Sequence, residues 1–368
     1  MTGLIGDGPG GVFSDHADFW LWPAALSVVV IIVMRTPWVP LLMLVSAWTS
    51  ALGVQAASAP GVNLTRSEDR VRIEIGGQLF TEYIFKGAPK PYLYPVLASD
   101  GTEMMRHFPM KADVEGEIRD HPHHRSLWFT HGAVNGVDFW LERDLTKQGQ
   151  VVNAAVEHTI RDGVGEIRSR NRWVGPDGTV HLTDTTVIRV RGLADGSRLL
   201  DYEVSLQAPA DKPVVLGDTK EGSMAIRLPL WMTPAHTYSE GKQRVKHEGR
   251  GTIVNAGGIR NDDTWGKRSA WVDYHAPKDG KTYGVAMFDH PKNPRHPTWW
   301  HVRSYALFAA NPFGKHDFEP EHKANPKAGD LTIAAGQTIT FRWRFYFHQG
   351  DETTANVAAR YQDFAATP

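Results

Sequence analysis

The sequence contains no cysteine, which excludes disulfides, thiolate nucleophiles and cysteine-ligated zinc or iron–sulfur centres. It also lacks any excess of charge. Forty basic against 41 acidic side chains leave a formal net charge of −1, with both signs mixed along the chain. That balance argues against nucleic acid as the main partner and favours a small neutral or weakly charged ligand. After Pro60 no apolar run approaches the ~20 residues of a helical membrane span. Repeats, heptads, low-complexity linkers and composition shifts are absent as well, so nothing divides the chain beyond that point.

The first residues read differently. "FWLWPAALSVVVIIV", Phe19 to Val33, is apolar but short for a span, and Arg35 and two prolines part it from a second apolar run. Read from Met34, "MRTPWVPLLMLVSAWTSALGVQAASAP" has a basic start and an apolar centre, followed by small residues at Val54, Ala56, Ala57 and Ala59. This is the pattern of a secretory signal peptide with its cleavage site. The expectation is that residues 1–33 are an over-extended start, 34–59 a signal peptide and 60–368 a single exported domain. That domain would be periplasmic or extracellular and free of the membrane once the leader is cleaved. The alternative is an N-terminal membrane anchor built from both runs. A domain of this size can do without disulfides because its core is large.

Beyond the leader, apolar and polar residues alternate. "RVRIEIGG" from Arg70, "VGEIRSRNRWV" from Val164, "VHLTDTTVIRVRG" from Val180 and "RLLDYEVSLQ" from Arg198 read as antiparallel strands with one wet face. In Thr338 to His348, Ile339, Phe341, Trp343, Phe345 and Phe347 share one face, and five large apolar groups need a second sheet to cover them. Only "DETTANVAARYQDFAA" looks helical, with Asp351 or Thr353 as N-cap and Val357, Tyr361 and Phe364 along one stripe. The fold class is all-β: a large antiparallel two-sheet β-sandwich with a short C-terminal helix.

Three stretches break the alternation and gather polar groups. In "RDHPHHRSLWFTHGAVNGVDFW", Arg119 to Trp140, four of the 17 histidines fall between His121 and His131. If His123 to Trp128 is extended, His123 and His124 point to opposite sides, so both cannot face one ligand. His121, before a proline, belongs in a turn. "GDTKEGSMAIRLP", Gly217 to Pro229, carries Asp218, Lys220 and Glu221 ahead of an apolar strand. "MFDHPKNPRHPTWWHVRSYALFAANPFG", Met287 to Gly314, has prolines stiffening a segment with His290, Asn293, Arg295 and His296. Strand-edge hydrogen bonds, a solvated turn and a passive connector are the structural counterparts of these readings. Trp128, Trp299 and Trp300 add flat faces suited to sugar rings, although core packing is a tryptophan's commoner fate.

These blocks, together with "KRSAWVDYHAP", resemble the signature blocks of the bacterial PmoA-like domain family, over about residues 65–350. The family's label, "methane oxygenase PmoA", implies membrane-bound methane chemistry, which a chain without spans after Pro60 does not fit. Strand-rich chains with a histidine-lined cleft also resemble the galactose-mutarotase-like supersandwich. That resemblance implies carbohydrate ligands, with a histidine acid on the ring oxygen and a glutamate base on the anomeric hydroxyl; no mutarotase motif allows residues to be carried over.

Three functions follow as expectations. The first is a carbohydrate-active enzyme, an epimerase, lyase or hydrolase acting on a sugar or glycan fragment. Its candidates are His123 or His124 as acid and Glu221 as base, with Arg125, Lys220 and Arg295 as stabilising cations. Trp128, His131, Asp218, His290, Asn293 and His296 complete the substrate-binding candidates. Hydrogen-bonding and desolvation needs pair the histidines and Arg125 with Asp218 and Glu221 in one cleft. The second is a metalloprotein in which His121, His123 and His131, or His290 and His296, bind zinc or copper; no cofactor is otherwise expected. The third is a non-catalytic glycan-binding module.

N-terminal sequencing of the exported protein should begin near residues 57–60, where the small-residue run ends. A mature chain that retains Trp38 to Ser50 would show an anchor instead.

Overall fold

The structure, a computed structural model, describes residues 58–240 and 242–368; the expected leader up to residue 57 lies outside the described residues. Alternating segments form two eight-stranded sheets, and every neighbouring pair within them is antiparallel. The first sheet runs, in spatial order, Val62–Arg66, Arg70–Ile75, Gln78–Ile84, Tyr92–Val96, Leu127–His131, Gly222–Arg227, Leu307–Asn311 and Trp299–Val302. The second runs Thr252–Asn255, Trp271–Lys278, Lys281–Asp289, Thr338–Gln349, Arg198–Gln207, Val180–Gly192, Val164–Val174 and Gln150–Arg161. A separate hairpin, Pro234–Glu240 with Gln243–Arg250, completes the larger elements. Among the described residues no helix is long and apolar enough to cross a membrane.

The core lies between the sheets. Side chains that alternate inward along each strand meet there, Leu127, Phe129, Met224, Ile226, Trp300 and Phe308 from the first sheet against Val204, Tyr274, Met287 and Trp343 from the second. The five apolar positions of Thr338–Gln349 all join this cluster, Ile339 at its edge. The opposite face of the same strand carries Tyr346, which packs with Phe288 against Val357, Tyr361 and Phe364 of the C-terminal helix Val357–Ala365. That helix is therefore the cover of the second sheet's outer face.

Its N-cap differs from expectation. Asn356, with φ 52°, precedes the helix and makes no side-chain cap bond. Asp351 instead closes the turn before it, its Oδ1 accepting hydrogen bonds from the Thr354 amide at 2.8 Å and hydroxyl at 2.8 Å. A left-handed residue lets the chain change direction between turn and helix, and asparagine tolerates that conformation better than most side chains.

Truncating Phe345, which is fully buried between the sheets, should cost about 3–5 kcal/mol in denaturant unfolding. Thr338→Ala, at an exposed position on the same strand, should stay within about 0.5 kcal/mol. Equal losses at the two positions would contradict the assignment of faces.

Candidate functional site

Among the described residues the outer face of the first sheet has no long helix over it; the short helix Lys315–Phe318 reaches only its edge, where Phe318 lies 6.1 Å from His301. Cross-strand register places Tyr92, Trp128, Ala225, Ala309 and His301 in one row across five strands of that face. The two alanines in the middle leave room above the sheet for side chains arriving from loops. Trp140 and Leu307 join the row in a second apolar cluster, with Leu141 and Tyr305 packed against it. Above it opens a cleft of about 200 Å³ lined by residues of all three polar blocks, His121, His123 and His124 from the first, Lys220 and Glu221 from the second, and His301, Arg303 and Tyr305 from the third.

His123 and His124 both line this cleft, which corrects the extended reading of His123–Trp128. The chain turns here: the His124 amide bonds the His121 carbonyl at 3.0 Å, and His121 and Ser126 have φ of 45° and 54°. The strand starts only at Leu127, so two-residue alternation does not govern the histidines. The turn stacks four rings in a column: Tyr305 on His121 at 5.7 Å, His121 on His124 at 4.7 Å and His124 on Trp128 at 5.3 Å, with interplanar angles of 7°, 9° and 22°.

The column stands on a buried charge cluster. Asp120 pairs with both Arg106 and Arg227, the latter at 2.9 Å, and the two arginine side chains are only 3% and 2% exposed. His121 Nδ1 faces the other Asp120 oxygen at 2.9 Å. Burial pushes the Asp120 carboxyl up, but His121 and the two guanidiniums outweigh it and hold it well below the ordinary carboxylate range. Asp120 thus fills the partner role that residue chemistry had assigned to Asp218 and Glu221.

Arg227 Nη1 also contacts His124 Nδ1 at 3.2 Å. A guanidinium only donates, so His124 Nδ1 is bare and the ring proton sits on Nε2. Burial first, then the Arg227 charge, lowers the His124 pKa well below its usual value, which agrees with a neutral ring. His123 is lowered to about 3 by burial and by Lys90, His121, Arg143 and Arg106. Its buried Nδ1 has no hydrogen-bond partner among the described residues.

The second block is held by its backbone. The Lys220 amide bonds Asp317 Oδ2 at 2.9 Å and the Thr219 carbonyl accepts Asn311 Nδ2 at 2.9 Å. Glu221 packs against Gly132, where a Cβ would lie 2.8 Å from the Glu221 Cβ, and its carbonyl accepts the Gly132 amide at 2.7 Å. These contacts leave the Glu221 carboxylate at the cleft, 3.1 Å from Lys220 Nζ.

His301 is pinned by the same backbone. Its Nδ1 lies 2.8 Å from the Lys220 carbonyl, which only accepts, so Nδ1 carries the proton and Nε2 the free lone pair. Burial lowers its pKa to about 4 despite that bond. A tight turn between the last two strands of the sheet, with Arg303 N–H to Leu307 O at 2.8 Å and Ala306 at φ 77°, then brings Arg303 and Tyr305 to the rim. Burial raises the Tyr305 hydroxyl pKa, so it keeps its proton.

Opposite them, Lys90 and Arg125 pair with Glu142 at 2.6 and 2.7 Å, clamping the loop after Trp140 to the sheet. Arg143, next in sequence, has its amide on Gln148 Oε1 at 2.8 Å and lines the cleft.

The remaining sequence candidates lie elsewhere. Trp128 is fully buried under His124, closed to a sugar face, and Trp299 and Trp300 are 3% and 0% exposed. His131 follows Leu127 and Phe129 onto the inner face, against Phe313 at 4.4 Å, with Nε2 on the Gly217 carbonyl at 2.9 Å. It therefore cannot join His121 and His123 as a ligand set. Asp218 is buried, its oxygens taken by His316 at 2.9 Å and by the Gly329 amide. Arg125 is held by Glu142 and lies over Tyr92.

The proline-stiffened loop is a staple. His296 and Asn293 bond Asp289 at 2.8 and 2.7 Å, His290 faces the Thr367 carbonyl at 3.2 Å and Arg295 donates to the Pro312 and Asp330 carbonyls at 3.0 and 2.8 Å. His301, Arg303, Tyr305 and Arg143 were not among the sequence candidates. In "WWHVRSY" the neighbours of His301 read as core, yet alternation from Trp300 and Val302 would have turned it outward.

Among the described residues two groups could hold a metal ion, Asp273–His275–Glu352 and Glu319–Glu321–His322. Neither contains a residue of the cleft. Asp273 already places its two oxygens on His275 Nδ1 at 2.7 Å and His348 Nε2 at 2.8 Å.

The chain belongs to DUF6807, a family of unknown function, whose model matches residues 70–362. No curated protein matches it. Among solved structures it is similar to a polysaccharide lyase (TM-score 0.26, 13% identity, 80% of this chain and 33% of that one). It is also similar to galactose 1-epimerase from Lactobacillus acidophilus NCFM (0.34, 7%, 79% and 100%). A third is a galactose mutarotase-like protein from Lactobacillus casei ATCC 334 (0.21, 10%, 78% and 100%). The chain spans about a third of the lyase's length.

Replacing Asp120 by Asn leaves Arg106 and Arg227 buried without their carboxylate. Because Asp120 is 31% exposed, the expected loss is about 3 kcal/mol, the lower end for a broken buried pair. The carboxyl's depressed pKa stabilises the fold above its unfolded value of about 3.9, and that contribution fades as pH falls below about 4. Unfolding measured against pH should show this acid loss in the wild type and a flatter curve in the variant; identical slopes would refute the pairing.

Proposed function

We propose that the protein is an exported carbohydrate-active enzyme that carries out acid/base chemistry on a sugar held in this cleft. The observation that supports it is a matched pair of neutral histidines: His124 offers Nε2–H and His301 a bare Nε2 lone pair, each fixed by the partner of its Nδ1. General acid/base chemistry on a hydroxyl or an activated C–H needs such an acceptor and a donor facing one volume.

The electrostatics reverse the roles expected from mutarotase chemistry. A histidine with its pKa lowered to about 4 or below has no ionic proton to give at neutral pH. His301 is the proton acceptor in this reading. Neutral His124 donates a hydrogen bond to oxygen as negative charge develops on it, and Tyr305 is the group that still holds a proton to return. Glu221, anchored by Lys220, serves as hydrogen-bond acceptor for sugar hydroxyls or as a second base. Leu141 and Leu307 supply the apolar wall of the cleft.

On a substrate found from a panel of glycan fragments, His301→Asn should lower turnover about 10²–10⁴-fold, since the Asn amide nitrogen, placed like Nδ1, can keep the bond to the Lys220 carbonyl but cannot take a proton. Glu221→Gln should reduce turnover while changing stability by less than about 1 kcal/mol. Below pH about 4 the rate should fall as His301 becomes protonated. Sugar binding without turnover in the wild type would mark a binding module, and full turnover in His301→Asn would remove His301 from the chemistry.

A further inference from the structure

We infer that the sugar taken by this cleft carries an anionic group, seated between Arg143 and Arg303. The inference rests on the sugar reading above and specifies its substrate class.

Three cationic side chains line the cleft, Arg143, Lys220 and Arg303, against a single carboxylate, Glu221. Lys220 is already engaged with Glu221 at 3.1 Å. Among the described residues neither Arg143 nor Arg303 has a carboxylate within salt-bridge distance. The layer beneath adds to the imbalance, because Arg106 and Arg227 share the one carboxylate of Asp120. Three cationic groups at the cleft and two buried beneath it are therefore set against two carboxylates, Glu221 and Asp120.

The histidines do not offset this field; they register it. His123 feels Lys90, Arg143 and Arg106, and His301 feels Arg303 and Lys220, as charges that oppose protonation, with Asp317 acting the other way on His301 as the last of its causes. An anion entering the cleft would relieve that opposition.

Arg303 is held by aromatic rings, whereas Arg143 is exposed and only its backbone is fixed. The Arg303 guanidinium lies 5.4 Å from the Tyr305 ring centre and 5.7 Å from that of Trp265. Arg143 leaves a loop fixed by the Lys90–Glu142–Arg125 cluster and by Gln148. Planar guanidinium forks suit bidentate capture of a carboxylate or phosphate. An independent sign of a polar ligand is His123, 2% exposed, with a buried and unpartnered Nδ1 in the lining of the same cleft.

The test is titration calorimetry of the purified protein at low salt. Probes are disaccharides containing glucuronate, galacturonate or mannuronate, each beside its carboxyl-reduced neutral counterpart, and glucose 6-phosphate beside glucose. At least one anionic sugar should bind ten-fold or more tightly than its neutral partner. That preference should shrink with added salt and disappear in the Arg143→Gln/Arg303→Gln double variant, while neutral-sugar binding persists. The uronate and phosphate arms tell which anion is preferred. Neutral sugars binding as tightly as their anionic partners would overturn the inference and leave the sugar reading standing. Failure of every probe, charged and neutral, would overturn both.

Discussion

Two guanidiniums buried beside each other repel, and Asp120 is what makes their burial tolerable. Arg106 comes from the long loop after the Tyr92–Val96 strand and Arg227 from the end of a central strand, and their shared carboxylate ties loop to sheet. The tie is reinforced by backbone: Arg106 donates to the carbonyls of Phe108, Ile118 and His121. The turn from His121 to Ser126 is carried on that frame. Arg227 then sets the proton position on His124, so one ionic cluster fixes both where the histidines of this turn sit and which nitrogen His124 can offer.

The two outer faces of the sandwich show opposite solutions to the same problem. The second sheet buries its outer face under a helix through Tyr346, Phe288, Tyr361 and Phe364, a contact of apolar area with no demand on geometry. The first sheet buries its outer face under Trp128, Trp140 and a layer of paired charges. Such a layer gives less stability for its size than apolar packing would, because every ion must be desolvated. What it gives in return is fixed orientation of polar groups at a surface open to solvent.

The sandwich was legible in the sequence because sheet geometry imposes a period of two, and Thr338–Gln349 obeys it without exception over its five inward aromatic and aliphatic side chains. The site was legible in part. Its three polar blocks do meet at one cleft, but composition could not say which half of each block arrives. Asp218 and Glu221 stand three residues apart, yet one closes a loop and the other faces the cleft. His296 and His301 are five apart, and Asp289 claims the first. The His123–Trp128 reading failed where a left-handed residue, Ser126, interrupts the strand pattern, and no local residue preference announces a serine at positive φ.

The opposed tautomers give the cleft a direction. One wall presents a hydrogen and the other a lone pair, and neither ring can exchange roles without breaking the bond at its Nδ1. A hydroxyl lying between them must accept on one side and donate on the other, so its own hydrogen points one way only. If the ligand is the sugar proposed above, two epimers present that hydroxyl along different vectors, and only one of them completes the chain. On the sugar reading proposed above, the arrangement distinguishes epimers by the order of hydrogens and lone pairs along the cleft, and not by a steric clash that rejects the wrong one.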